Sequence, residues 1–332
     1  MCWLIIQQAT FAGPMIWGAK TIKRPDGAIM YKTPLNGSYE DPTWFGSEDE
    51  IIFAVTKGEY ENDYSNLYLL DVKTGETTAM TNERNMRLTS GDHLKLSDEG
   101  FLYVEESENA STLKGITIEE NRYKRNFIQT EADRIYEGDQ VWNPSISYDE
   151  KWLAYDAATE EVLHDGTIVH QIYRRDLNTG EEIAITSGPD HKRRPRWSPN
   201  NYVLLYEQYD AQFREWSLYV SDYNGNVHRR LTKGLGDEIY GSFSPDGNWV
   251  VYTSNESLDG RKLDRNRLYI CAFAGREAYP LTKSKFYDSK PVWSPDGYRI
   301  VFETSAKDPV SYGKTQIAVI DIPEEIELLG TK

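Results

Sequence analysis

Apolar residues along this chain fall in short runs rather than in long amphipathic stripes. Ile51–Val55, Val203–Tyr206 and Trp249–Tyr252 are typical: four or five residues rich in β-branched and aromatic side chains, bounded by turn formers. The pattern predicts many short strands. One unit recurs. Pro291-Val-Trp293-Ser-Pro-Asp-Gly297-Tyr-Arg-Ile-Val-Phe302 aligns without a gap with Gly241–Tyr252, Pro195–Tyr206, Pro144–Tyr155 and Pro42–Phe53. A shortened copy runs from Leu96 to Tyr103. The apolar anchors at 44, 96, 146, 197, 243 and 293 are separated by 52, 50, 51, 46 and 50 residues.

Each copy has a physical reading. The anchor closes one strand. Ser-Pro-Asp-Gly suits a type I turn, with Pro fixing φ at the second position and Gly at the fourth. An apolar strand ending in Phe or Tyr follows. A second element then repeats as Leu67-Tyr-Leu-Leu-Asp71-Val-Lys-Thr-Gly75, Gln171–Gly180 and Leu218–Gly225, a strand entering a hairpin. In the second repeat this hairpin is indistinct, and Ile116–Glu120 and Asn126–Gln129 are its best strands. The unit ends on Leu-Thr or Ile-Thr, at Thr186, Thr232 and Thr282. Four antiparallel strands per unit cannot bury both faces alone, and radial repetition solves that. The expected fold is all-β: a six-bladed propeller of four-stranded antiparallel blades, with seven blades as the alternative. Residues 39–332 form the propeller. Residues 1–38 hold Arg24-Pro-Asp-Gly27 and Ala28-Ile-Met-Tyr31, a partial repeat expected to pack where the ring closes.

The period is too long for WD40 repeats, and the turn sequence is not that of kelch repeats. The Trp-Ser-Pro-Asp-Gly turn, the Leu-Tyr-x-x-Asp strand and the Leu-Thr end resemble the WD40-like PD40 repeats of the TolB-like propeller family, over roughly residues 40–329. The resemblance implies six blades. It leaves function open, because such propellers serve as protein-binding scaffolds, as lids of serine peptidases and as carbohydrate-active lyases.

Composition narrows the partners. Lys and Arg number 37 against 53 Asp and Glu, a net charge of −16. An acidic surface of this size repels phosphate backbones, so no nucleic-acid partner is expected. No apolar stretch reaches the ~20 residues of a membrane helix, so no membrane insertion is expected either. Cys2 and Cys271 make neither a disulfide framework nor a zinc cage. The family resemblance implies a periplasmic setting. No signal peptide is legible, which leaves the cytoplasm open as well.

The nucleophile, zinc-protease, phosphate-loop and dinucleotide motifs are missing. Chemistry therefore has to come from the channel mouth, where the segments between blades converge. These carry an acid in every repeat: Asp41, Asp92, Asp139, Asp190, Asp237 and Asp288, with His93, Gln140, His191, Glu238 and Tyr287 beside them. Such an Asp also caps turns through its own backbone, so a structural role and a polar funnel are both open. His93 and His191 are the metal candidates, and no other cofactor is implied. Arg193 and Arg194, within the basic run 191–196, suit an anion clamp. Tyr209, Phe213 and Trp216 are placed in a long connection of the fourth repeat. His164, His170 and His228 fall near outer hairpins and receive no role.

The leading expectation is a non-enzymatic scaffold that engages a protein or peptide at the channel mouth or on one face. The alternatives are a lyase or hydrolase of acidic oligosaccharides working in the same channel mouth, and a sensor of a small ligand.

Overall fold

The computed structural model describes residues 16–32, 35, 37–57, 64–81, 87–89, 95–97, 100–106, 111–121, 124–130, 141–162, 166–234, 236–256, 262–274, 277–283, 285–305 and 314–324. Its strands form six antiparallel sheets of four or five strands. Each sheet touches the next, and the sixth touches the first, so the cycle closes. The sheets are the blades of a propeller. From blade 3 to blade 1, through blades 4, 5 and 6, the first strand of each blade contacts the first strand of its neighbour, which places these strands innermost around the axis. They are Ser38–Trp44 in blade 1, Val141–Ile146 in blade 3, Lys192–Trp197 in blade 4, Glu238–Phe243 in blade 5 and Tyr287–Trp293 in blade 6.

The repeated residues each do a job. In the turns, Gly247 N–H donates to Ser244 O (2.9 Å) and Gly297 N–H to Ser294 O (3.0 Å). Asn201 and Glu150 occupy the same left-handed position in blades 4 and 3. The anchor tryptophans join blades: Trp44 Nε1 donates to Val292 O (3.2 Å) and Trp197 Nε1 to Ser145 O (3.1 Å). The closing threonines clasp the third strand. Thr81, Thr186, Thr232 and Thr282 accept the N–H of Leu67, Ile172, Leu218 and Leu268 at 2.9–3.1 Å. Between second and third strands the rings of Tyr155 and Tyr173, Tyr206 and Tyr219, and Tyr252 and Tyr269 stack at 5.9 Å. The core lies between blades, where one blade's aliphatic face meets the next blade's anchor; Phe302, Ile300, Val251 and Leu268 belong to one such fully buried layer. Each such side chain contributes roughly 1.5–3 kcal/mol by burial.

In blade 2, Ser111–Asn121 and Lys124–Thr130 pair as a hairpin, and these strands contain the two segments read from the sequence. The N-terminal strands cross the seam. Ile29–Lys32 pairs with Gln316–Asp321, so the first part of the chain supplies the fourth strand of the last blade. Lys20–Lys23 adds a fifth strand there, and Ile16–Gly18 adds one to blade 1.

Candidate functional site

The five inner strands of blades 1, 3, 4, 5 and 6 share one irregularity. Their pairing with the second strand shifts between Glu40 and Thr43, Trp142 and Ser145, Arg193 and Arg196, Ile239 and Ser242, and Ser289 and Val292. At each bulge one residue turns left-handed: Asp41, Asn143, Arg194, Tyr240 and Lys290, with φ between 50° and 55°. None is Gly, although the conformation favours Gly. A bulge re-aims its side chain out of the ladder, and non-glycine strain of this kind is concentrated at functional positions. Here the re-aimed side chains meet around the channel. The Arg194 guanidinium lies 4.7 Å from the Tyr240 ring centre, Lys290 Nζ lies 5.7 Å from the same ring, and Lys290 Nζ pairs with Asp41 at 2.6 Å.

The preceding blade holds four of these five bulges. Asp41 N–H donates to Glu303 Oε1 (2.6 Å), Arg194 N–H to Asp156 Oδ1 (3.0 Å), Tyr240 N–H to Glu207 Oε1 (2.8 Å) and Lys290 N–H to Thr253 Oγ1 (3.2 Å). All four acceptors follow the Phe or Tyr that ends the apolar run of a second strand. Of the three buried carboxylates among them, Glu207 and Glu303 have opposite electrostatics. Burial works to raise the Glu207 carboxyl, but Arg194 and Arg193 hold it below its ordinary value. Glu303 shares Lys290 with Asp41, and burial pushes it up to about 7. Burial disfavours the Lys290 ammonium, yet Asp41 and Glu303 raise its pKa.

The densest cluster stands where blade 4 begins. Arg193 Nε donates to Glu207 Oε2 (2.7 Å), and Arg194 Nη1 donates to the same oxygen (3.1 Å). The Arg193 guanidinium lies 3.6 Å from the centre of the Trp216 ring. Trp216 meets His191 edge-on at 5.4 Å and Tyr209 at 5.3 Å. His191 lies against His170 at 4.9 Å, and His170 Nδ1 bonds Asp156 Oδ2 at 2.9 Å. Burial, and then His170, lower the pKa of His191. The terminal nitrogens of Arg193 make no hydrogen bond among the described residues, although its side chain is only 26% exposed.

Among the described residues, the acids singled out in the sequence do not form a ring. Asp288 is fully buried and taken up by Arg24 and Thr304, so it belongs to the ring closure and not to the mouth. Glu238 is buried under Gly234, whose N–H it accepts (2.7 Å). Asp237 accepts Trp216 N–H and Asn255 Nδ2, and Asp190 accepts Gln208 Nε2. Tyr287 begins the inner strand of blade 6, half-buried. Asp92, His93, Asp139 and Gln140 lie outside the described residues. The structure brings Arg193, Arg194, His191 and Asp41 to the channel end. His170 is not at an outer hairpin: the third strand Ile168–Asp176 carries it to Asp156. Trp216 and Tyr209 are paired strand residues rather than parts of a connection. Among the described residues, no three His, Cys, Asp or Glu are grouped to hold a metal ion. Sequence reasoning missed Asn143, Tyr240, Lys290, Asp156, Glu207 and Glu303. The signal was present: the position before Pro42, Pro144, Pro195, Gly241 and Pro291 varies within a constant frame.

Residues 171–321, which span the outer strands of blade 3, blades 4 and 5 and most of blade 6, match the TolB beta propeller domain, PD40. The fold is that of the TolB-like propellers. It is similar to that of TolB from Acinetobacter baumannii, with a TM-score of 0.59 and 16% identity over 82% of this chain and 64% of that one. A structure described as oligogalacturonate lyase in complex with manganese gives a TM-score of 0.56 at 15% identity, over 95% of this chain and 100% of the other. At these identities the likeness is one of fold. In sequence, the chain is 34% identical over 157 residues, 46% of its length, to a Bacillus subtilis protein named uncharacterized peptidase YuxL. The chain spans 23% of the length of that curated relative.

Proposed function

We propose that this TolB-like propeller is a binding module that takes a peptide segment of a protein partner at the channel end where blades 3 to 6 begin. The observation that carries the reading is the Arg193–Glu207–Arg194 group. Two guanidiniums share one buried carboxylate, and aromatic rings flank both of them. Polar groups of both signs follow along the bulges, from Arg194 through Tyr240 to Lys290 and Asp41. A peptide offers carboxylate, amide and apolar groups in one strand and complements such a wall. The stretch shared with a protein named a peptidase supports a ligand of this class.

The test is capture of a random decapeptide pool by the immobilised protein, with recovered peptides identified by mass. Intact peptides retained by the protein and lost with the double variant Arg193→Ala/Arg194→Ala are the expected result. Shortened peptides would turn the reading to an enzyme. Retention indifferent to both substitutions would remove the site.

A further inference from the structure

We infer that the ligand enters end-on and that Arg193 grips its free C-terminal carboxylate, with the terminal side chain lying on Trp216 and Tyr209. This deepens the peptide-binding reading and rests on it. A guanidinium has five N–H donors in a fixed plane. Arg193 spends one, through Nε, on Glu207 Oε2. The remaining four, on the two terminal nitrogens, meet no acceptor among the described residues. The plane is already fixed by that bond and by the Trp216 face 3.6 Å away. A two-pronged donor is thus held open before any ligand arrives, so little ordering remains for binding to bring about. Arg194 shares the same carboxylate oxygen, which leaves two guanidiniums against one buried Glu207.

The shape of that opening selects a carboxylate. Two parallel N–H groups match its two oxygens. A dianionic phosphate would stand beside Glu207 and beside Asp156, which holds the Arg194 N–H, and like charges at that range are unfavourable. The channel setting selects a chain end over a side chain. A terminus can enter along the axis, whereas an internal Asp or Glu must bring two strands of backbone with it. The Trp216 and Tyr209 rings, 5.3 Å apart, supply an apolar seat next to the fork.

Fluorescence anisotropy decides the matter with three labelled forms of a decapeptide pool ending in Phe or Leu. These are the free acid, the C-terminal amide, and the amide with one internal Glu. The free acid is expected to bind about tenfold or more tightly than the amide, the range of a charge-assisted hydrogen bond. Arg193→Gln should bring acid binding down to the amide level while amide binding holds. Arg193→Lys, which keeps the charge and loses the fork, should fall between. Equal binding of acid and amide would overturn the carboxylate grip and leave peptide binding standing. Restoration of binding by the internal Glu would overturn end-on entry. No binding by any form would remove the peptide reading and this inference together.

Discussion

Two arginines on carboxylates show how one chemistry serves opposite ends. Arg24 comes from the N-terminal segment and is 1% exposed. All five of its N–H donors are used: on both oxygens of Asp26, on both oxygens of Asp288, and on Thr304 Oγ1. Arg193 uses one donor, and its other four meet no acceptor among the described residues. The first arrangement is closed and structural; the second is half-made and waits for an acceptor. What separates them is the tally of satisfied donors, since both carboxylate partners, Asp288 and Glu207, are buried. A third pair belongs to neither kind. Arg230 and Glu238 approach only to 3.7 Å, the facing oxygen Oε2 makes no hydrogen bond among the described residues, and burial pushes the Glu238 carboxyl up to about 7.

The largest effect should come from breaking the closed arginine. Asp288→Ala strands the Arg24 guanidinium in the interior and is expected to cost about 3–5 kcal/mol in urea denaturation. The Glu238 pair is next, and its sign follows from its raised pKa. Between the ordinary glutamate value of 4.5 and about 7, the folded state keeps a proton that the unfolded chain has lost. Stability from this group is therefore full below 4.5 and declines as pH rises towards 7, by about 3 kcal/mol over that range. Glu238→Gln should flatten this part of the melting profile. Glu207→Ala should cost less than Asp288→Ala, about 2 kcal/mol, because both of its arginines can turn towards water. Smallest is Arg193→Gln, with a stability loss below about 1 kcal/mol. An equal loss for Arg193→Gln and Asp288→Ala would erase the distinction between open and closed arginines.

The fold was legible because its determinants are local and repeated. The Ser-Pro-Asp-Gly turns and the Leu-Thr clasps act within a few residues or within one blade, so each copy reports the same structure. The site was only partly legible. Arg193, Arg194 and His191 stood out as a basic run in an acidic chain. The four described acids do not come together because they do not share a position: Asp41 lies three residues before its anchor, Asp288 five, Asp237 six and Asp190 seven. Residues at different distances from the anchor face different neighbours. His170 was misplaced for a related reason. The sequence marks where the third strand of blade 3 ends, at Asp176, but not how far towards the channel it begins. The buried acceptors Asp156, Glu207 and Glu303 were hidden because each looks like a solvated residue flanking an apolar run. Only the bulge of the neighbouring blade reveals what they hold.

The seam between the two ends of the chain also sets a timetable. Arg24 and Asp288 are 264 residues apart, and the strand Ile29–Lys32 pairs with one completed only at Asp321. During synthesis at about 5–20 residues per second, the first partner waits roughly 15 to 50 seconds for the second. Throughout that wait the early strands present unpaired edges, and their exposed lysines, Lys20, Lys23 and Lys32, discourage pairing with a foreign strand. The ring is thus fastened last by the piece that was made first, and a ribosome that stops short of blade 6 releases a chain with its seam unjoined.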